Sequence, residues 1–204
     1  MRISYYFMLK NQNEHEIGKT NVLFIRHGDR IHVSGDDGIG LISPGPGLNK
    51  LGKKQAKDVA KKLSKFKGQI DLLYCSNMTR AIETANEISK KIGKKPIIIE
   101  DLSEIAHAVW KRNIYTKEFW KYYLKHLNSL KALDKILEKD RGKFIVIVAH
   151  GNLIKGLIFK KLGLSLKQIG FFHHHNCSVS SVRFSGKKLD HINCINSKEI
   201  VLGD

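Results

Sequence analysis

The sequence predicts an α/β fold, a three-layer αβα sandwich with a mostly parallel central sheet and a C-terminal edge hairpin. Short apolar runs, typical of buried strands, alternate with longer segments in which apolar residues recur at helical spacing. Near the end of the chain, residues 176–196 contain two strand-like runs joined at Ser185-Gly186-Lys187, a pattern typical of a hairpin.

The first predicted element is a strand at residues 22–25. Its sequence, VLFI, is a continuous apolar run, typical of a strand covered on both faces. Residues 32–47 are rich in glycine and proline and are expected to form a long loop. A helix is predicted at residues 48–66, where the apolar side chains fall on one stripe. The stripe consists of Leu51, Ala56, Val59, Ala60 and Leu63.

The middle of the chain repeats this order of strand and helix. Residues 70–76 predict a second strand, and residues 78–93 predict a helix that ends at Gly93, because glycine is common just beyond a helix C-terminus. Residues 96–100, with the sequence PIIIE, predict a third strand. A long amphipathic helix is expected near 116–139.

The last third of the chain contains another strand that ends in a histidine. Residues 143–151, KFIVIVAHG, are an apolar run followed by His-Gly, and residues 152–163 predict the next helix. We interpret residues 21–204 as a single domain that follows an N-terminal extension at 1–20. Residues 101–140 are interpreted as a lid insertion in that domain.

Composition and charge exclude several classes of protein. Lysine and arginine number 36 against 19 aspartates and glutamates, a formal net charge of +17, but the lysines are scattered along predicted helices. This scatter favours a solvated surface over nucleic-acid binding, and no RNP, KH or zinc-finger pattern is present. No apolar run is long enough to cross a membrane and no signal peptide is found, so a cytoplasmic location is expected. Three widely spaced cysteines predict neither a disulfide framework nor a metal cluster.

Two predicted strands deliver histidines to the same edge of the sheet. His27 follows the first strand and His150 the fourth, and ligands in such sheets bind at the carboxyl ends of the strands. Arg26 precedes the first histidine, and Arg80 lies in the first turn of the helix at 78–93. Guanidinium groups match phosphate oxygens, so these four side chains predict a site for a tetrahedral dianion.

A histidine in such a site is also a competent nucleophile, because its ordinary pKa of about 6.5 leaves it neutral near pH 7. Attack on phosphorus gives a phosphohistidine, which divides one difficult displacement into two easier steps. Cationic donors must then stabilise the equatorial oxygens. A carboxylic acid must protonate the leaving oxygen and later activate water.

Four sequence blocks together resemble the histidine phosphatase superfamily, in its phosphoglycerate mutase-like branch. They are RHG after a buried strand, LNKLGKKQA, CSNMTRAIETANEI and AHGNLIK, in the family's order. The third block is similar to the family motif Ser-x-x-x-Arg-Ala-x-x-Thr-Ala, and the second has Asn49 where threonine is usual. The resemblance extends from about Val22 to the final hairpin.

The resemblance implies a role for each of these residues. His27 is the phosphorylated nucleophile, and Arg26, Arg80 and His150 bind phosphate, with His150 also counted among the catalytic residues. The family places a proton donor and acceptor in a Leu-x-Glu segment after the third strand, which indicates Glu104 here. No metal or other cofactor is implied, because the arginines provide the charge that a metal would supply.

Further residues near this site remain open in role. Glu100 and Asp101 are alternatives to Glu104 as the proton donor. Arg30 completes an Arg-His-Gly-x-Arg motif found in some phosphatases of the superfamily, so it is a further predicted phosphate-binding residue. The histidines at 173–175 are adjacent in the chain and unsuited to holding one metal ion, so a loop near the site is expected there.

Hydrolysis is favoured over transfer between phosphoglycerates. The chain lacks the Trp-Asn pair, the Phe-Thr-Gly-Trp segment and the Glu-Arg-x-Tyr-Gly segment of the mutases. The prediction is a metal-independent phosphomonoester hydrolase for a small phosphorylated substrate. The alternatives are a phosphoglycerate mutase-type phosphotransferase and a catalytically idle module that binds phosphate or polyanions. Lys111, Arg112 and Lys117 are candidates for binding a second anionic group.

Overall fold

The computed structural model describes residues 18–32, 43–105, 117–164 and 172–202, and these form six strands and four helices. The strands are β1 (Lys19–Arg26), β2 (Leu72–Ser76), β3 (Pro96–Ile99), β4 (Phe144–Ala149), β5 (Val179–Ser185) and β6 (Lys188–Ser197). The helices are α1 (Lys50–Leu63), α2 (Thr79–Ile92), α3 (Lys117–Lys139) and α4 (Gly151–Lys161). Short 3₁₀ turns follow α1 and β3, at Ser64–Phe66 and Glu100–Leu102. In this described part of the chain, no helix has the length and apolar character of a membrane span.

The strands form one sheet in the order β3-β2-β4-β1-β5-β6. The first four in this order are parallel, since β4 pairs with both β1 and β2, and β2 pairs with β3. β5 is antiparallel to β1, and β6 is antiparallel to β5. The turn between β5 and β6 contains Gly186 in a left-handed conformation, with φ 56°. The mostly parallel sheet and the edge hairpin are therefore confirmed.

Helices cover both faces of the sheet. On one face, Val59 of α1 and Ile88 of α2 belong to an apolar cluster with Val146 of β4. On the other face, Leu133 of α3 and Leu157 of α4 belong to a second cluster, to which β4 also contributes. All six residues of β4 are buried, which explains why its sequence is continuously apolar. The three-layer sandwich is confirmed.

The helix boundaries next to the site have clear local causes. Asn49 caps α1, because its side-chain oxygen accepts a hydrogen bond from the amide of Gly52 at 2.8 Å. Asparagine thus serves the capping role at the position where threonine is usual in the family. α2 ends at Gly93, which adopts a φ of 76° that other residues reach only with strain.

The predicted domain boundaries are only partly within the described residues. β1 begins at Lys19, so the last two residues of the predicted extension belong to a strand that pairs with β5. Residues 1–17 and 106–116 lie outside the described residues. Within the predicted lid insertion, Leu133 and Leu137 of α3 are fully buried in the core, so this end of the insertion packs as part of the sandwich.

Candidate active site

His27 lies at the carboxyl end of β1 and is 3% exposed. Its Nδ1 is 2.6 Å from the carbonyl oxygen of Gly28, and its Nε2 is 2.9 Å from Nε of Arg80. A carbonyl oxygen only accepts hydrogen bonds, so Nδ1 carries the proton; a guanidinium group only donates them, so Nε2 keeps its lone pair. The surroundings select the neutral tautomer in which Nε2 is the nucleophilic nitrogen.

The same surroundings keep the His27 ring uncharged. Burial lowers the pKa of His27 well below its usual 6.5, and the positive charge of Arg80 lowers it further. Arg26 and Arg30 act in the same direction, while the hydrogen bond to Gly28 opposes them. A neutral imidazole is the form that attacks phosphorus, so this electrostatic arrangement suits a nucleophile.

Arg80 is positioned by the first turn of α2 and is almost completely buried. Thr84, one turn later, connects this helix to the segment after β1. Its hydroxyl oxygen accepts a hydrogen bond from the amide of Gly28 at 3.0 Å, and its hydroxyl group donates to the carbonyl oxygen of Arg80 at 2.7 Å. The Arg-Ala-x-x-Thr spacing therefore joins Arg80 to the backbone of Gly28, the residue after His27, through one hydroxyl group.

His150 follows β4, is fully buried, and has its ring centroid 5.1 Å from that of His27. Its Nε2 is 2.8 Å from the hydroxyl oxygen of Ser76, which also accepts a hydrogen bond from the amide of Met78 at 3.2 Å. When the Ser76 hydroxyl group donates to Nε2, the proton of the neutral ring lies on Nδ1. Nδ1 has no hydrogen-bond partner among the described residues. His150 can therefore donate a hydrogen bond to a bound anion.

Arg26, the last residue of β1, extends toward the start of α4. Its Nη1 donates to the carbonyl oxygen of His174, and its buried Nε has no hydrogen-bond partner in the described part of the chain. A Cβ atom at Gly151 would lie 3.3 Å from Cδ of Arg26. The glycine after His150 thus makes room for Arg26, a packing reason that the sequence pattern does not show.

Glu104 is the acid that the structure brings to these residues. Its Oε1 accepts hydrogen bonds from the amides of Ile105 at 3.0 Å and Leu153 at 3.2 Å. The second amide lies in the first turn of α4, where a helix favours negative charge. Burial nevertheless raises the pKa of Glu104, against the opposing effect of the nearby arginines. Glu100 and Asp101 are exposed in the preceding 3₁₀ turn.

A cavity of about 200 Å³ opens beside Arg26 and Glu104. Its walls consist of Arg26, Glu104, Gly151, Asn152, Lys155, Phe172, His173 and His174. Asn152 and Lys155 were not singled out from the sequence. The sequence feature that could have drawn attention to Lys155 is its position as the one charged residue in the otherwise apolar run LIKGLIF.

Among the described residues, Arg30 and Lys117, a residue predicted to bind a second anion, form fewer contacts with the site. Arg30 is half-buried, its Nη1 donates to the carbonyl oxygen of Ile31 at 3.3 Å, and its charge lowers the pKa of His27. Lys117 is exposed at the start of α3. The remaining two candidates for a second anion, at 111 and 112, lie outside the described residues. A half-buried lysine of α3, Lys125, is instead close enough for its charge to lower the pKa of His150.

The consecutive histidines at 173–175 occupy different environments. His174 is buried, with its ring nitrogens 2.8 and 2.9 Å from the hydroxyl oxygens of Ser178 and Ser180. His173 and His175 are exposed and stack on each other, with ring centroids 6.2 Å apart. Among the residues described, no group of three or more His, Cys, Asp or Glu side chains could hold a metal ion.

The family model of the histidine phosphatase superfamily (branch 1) matches residues 22–196. The chain belongs to the histidine phosphatase superfamily. The match runs through all four sequence blocks and through the sheet that carries His27 and His150. The family expected from the motifs is therefore confirmed.

The individual relatives have modest sequence identity to this histidine phosphatase chain. Phosphoglycerate mutase-like protein 4 of Arabidopsis thaliana is 30% identical over 134 residues, which span 54% of this chain and 58% of that protein. A metal-independent phosphoserine phosphatase of the same organism is 25% identical over 166 residues, 69% of this chain and 68% of that protein. A solved structure, phosphoserine phosphatase from Entamoeba histolytica in complex with 3-phosphoglyceric acid, has a TM-score of 0.67 at 23% identity. It covers 88% of this chain and 98% of that one. That likeness supports the fold.

Proposed function

We propose that this chain is a metal-independent phosphomonoester hydrolase whose reaction proceeds through a phosphohistidine on His27. One observation carries the proposal: Nδ1 of His27 donates to Gly28, while the lone pair of Nε2 is directed at the guanidinium of Arg80. A guanidinium at that nitrogen lies where it can contact an oxygen of a phosphoryl group bound there. The positive charge that a metal would supply is provided by arginine.

Substrate binding in this proposal uses donors from three strand ends. Arg26 and Arg80 bind phosphate oxygens through guanidinium N–H groups, and His150 donates from Nδ1. Arg30 is a further donor. These groups face the three non-bridging oxygens, which carry the charge in the transition state of phosphoryl transfer.

In the first step, Nε2 of His27 attacks phosphorus, so that an N–P bond forms as the P–O ester bond breaks. Protonated Glu104 gives its proton to the leaving alcohol oxygen. In the second step, water attacks phosphorus, the Glu104 carboxylate accepts a proton from it, and the N–P bond breaks. Inorganic phosphate leaves, and both side chains return to their starting protonation states. The raised pKa of Glu104 suits this double role.

The substrate in this proposal is a small phosphorylated compound. The cavity beside Glu104 has a volume of about 200 Å³, and a water molecule occupies about 30 Å³ in the liquid, so about seven heavy atoms fit there. Phosphoserine is the first compound to try, because a relative is named a phosphoserine phosphatase. A cytoplasmic location stays a prediction from the sequence.

Mutase-type phosphotransfer is the second candidate, since one relative is named phosphoglycerate mutase-like. It uses the same phosphohistidine but returns the phosphoryl group to a hydroxyl group instead of water. The missing mutase segments favour hydrolysis. Product analysis with 3-phosphoglycerate separates the two, because hydrolysis gives inorganic phosphate and transfer gives an isomeric phosphoglycerate.

The test is turnover of p-nitrophenyl phosphate and phosphoserine by wild type and His27→Ala, with and without EDTA. We expect activity that survives EDTA and falls at least about 10³-fold in the variant, because the nucleophile is lost. His191→Ala, at an exposed position of β6, is the matched control and should retain full activity. Equal activity in His27→Ala and wild type would refute the proposed nucleophile. Phosphate binding without turnover of any ester would support the idle module instead.

A further inference from the structure

The cavity beside Arg26 and Glu104 contains a buried cation that the proposed reaction does not use. Lys155 lies on α4 and is only 7% exposed. Its Nζ donates to the carbonyl oxygen of Phe172 at 2.8 Å. Within the described residues this is its one hydrogen bond, and no carboxylate there forms an ion pair with it. An ammonium group has three N–H donors, so two remain for a ligand in the cavity that Lys155 lines.

Burying the positive charge of Lys155 costs free energy unless an anion pairs with it. The α4 residues from Leu153 to Phe159 are all buried, and desolvation lowers the pKa of Lys155 by more than the charge of Glu104 raises it. Buried charges in proteins are normally paired. The cavity walls include one carboxylate, Glu104, and two cations, Arg26 and Lys155, and Glu104 already accepts two backbone hydrogen bonds. A second anion would therefore complement the charge of the cavity.

The proposed reaction determines what occupies this cavity. Glu104 protonates the ester oxygen, so the alcohol attached to that oxygen has to lie beside Glu104. Lys155 lines the same cavity as Glu104, so its ammonium group can contact the alcohol. Because the volume admits about seven heavy atoms, the alcohol is small.

We propose that Lys155 is a specificity-determining residue that binds a carboxylate on the leaving alcohol of the substrate. The substrate class is then the phosphomonoesters of small hydroxy acids. This inference rests on the proposed phosphatase function. A carboxylate suits Lys155 because one compact anion can accept the remaining N–H donors of an ammonium that already has a carbonyl partner.

A purely structural role for Lys155 predicts a different result. The Phe172 carbonyl that it contacts belongs to a residue whose ring packs against Phe159 on α4, with centroids 4.8 Å apart. If Lys155 only holds the backbone at Phe172 in place, its loss should lower kcat/KM equally for all substrates. If it binds a carboxylate, its loss should affect only substrates that carry one.

The test compares two substrates of nearly equal size, 3-phosphoglycerate with a carboxylate and glycerol 3-phosphate with a hydroxymethyl group in its place. We expect wild type to prefer 3-phosphoglycerate and Lys155→Met to lose about 10- to 100-fold in kcat/KM for it, with a change below about threefold for glycerol 3-phosphate. Lys160→Met, exposed on the same helix, is the matched control. Lys155→Arg should retain the preference, and it keeps the test informative if the methionine variant does not fold in a thermal melt.

Equal losses on both substrates in Lys155→Met would overturn the specificity role in favour of the structural one. So would a wild-type enzyme that shows no preference between the substrates, or a Lys155→Arg variant that loses the preference while remaining folded. His27→Ala, assayed alongside, separates these failures from failure of the proposed function. If it is inactive on both substrates, the phosphatase proposal stands whatever Lys155 does.

Discussion

At the scale of single residues, burial acts in opposite directions on the pKa values of His27, the proposed nucleophile, and Glu104, the proposed acid. It lowers the pKa of His27, so the imidazole stays neutral, and it raises the pKa of Glu104, so the carboxyl group keeps its proton to higher pH. Titratable groups whose pKa values are separated in this way are typical of sites where one attacks and the other donates a proton. Ser76 adds a further contact, because its hydroxyl group can donate to Nε2 of His150 and so favours the tautomer with Nδ1 protonated.

If Glu104 is the acid, the loss of kcat/KM in Glu104→Gln should depend on the leaving group of the ester. Phosphoserine has a poor leaving alcohol that needs a proton, so kcat/KM should fall by about 10²- to 10⁴-fold. p-Nitrophenyl phosphate has a good leaving group, so its kcat/KM should fall much less. The alkaline limb of the pH profile, where Glu104 loses its proton, should also disappear. Asp101→Asn, at an exposed neighbour, is the control, and an equal loss on both esters would remove Glu104 from the acid role.

At the scale of secondary-structure elements, the start of α1 holds the segment that follows His27. Asn49 accepts a hydrogen bond from Gly52 and donates one from Nδ2 to the carboxylate of Asp29 at 2.6 Å. The backbones approach so closely that a Cβ atom at Gly52 would lie 1.9 Å from the carbonyl oxygen of Asp29. A Cβ at Gly28 would lie 2.5 Å from the carbonyl oxygen of Gly52. This contact between α1 and the β1 end therefore depends on glycine at both positions.

Gly52→Ala should consequently destabilise the protein and impair catalysis together. Overpacking of this kind typically lowers the free energy of unfolding by about 1–3 kcal/mol, and here the strain falls next to His27. Urea denaturation and kcat on p-nitrophenyl phosphate measure the two effects. Gly68→Ala is the matched control, because a Cβ there has no atom within 4 Å, and it should be nearly neutral. A Gly52→Ala variant that matched this control would mean that the segment adjusts freely.

At the scale of the whole molecule, four histidines that are buried in the described part of the chain make folding sensitive to acid. Burial lowers the pKa of His27, His126, His150 and His174, in the cases of His126 and His174 to about 4. An unfolded chain exposes these rings, and each then takes up a proton near pH 6.5. Between the folded and unfolded pKa values the unfolded state binds more protons, so stability rises with pH.

The free energy of unfolding should therefore fall as the pH decreases from 6.5 to 5. One pKa unit corresponds to about 1.4 kcal/mol, so His126 and His174 each account for about 2 kcal/mol over this interval. Urea denaturation at several pH values measures the slope. His126→Gln should reduce that slope, and His191→Gln, at an exposed position, should leave it unchanged. A wild-type stability independent of pH in this interval would contradict the expected effect of the buried rings.

How much of the site can be predicted from the sequence depends on the kind of element that carries each residue. Buried strands end abruptly in polar residues, and parallel strands end at one edge, so His27, Arg80 and His150 could be brought together in advance. Lys155 could not be placed, because α4 is buried on nearly all sides and its periodicity does not indicate which face meets the cavity. Only the family's Leu-x-Glu segment distinguishes Glu104 from Glu100 and Asp101 in the sequence, because the α4 amide that binds its carboxylate is brought to it only in the folded chain.

The strand order has a consequence for how the chain reaches this structure. β1 is the first of the described strands to be synthesised, yet Val22 lies opposite Ile145 of β4 on one side and Val182 of β5 on the other. Both partners leave the ribosome long afterwards, and pairing over such sequence distances is intrinsically slow. Until then the run VLFI has no partner strand and is exposed to aggregation. The strand that leads to His27 is thus the one that a nascent chain, or a chaperone bound to it, must shield for longest.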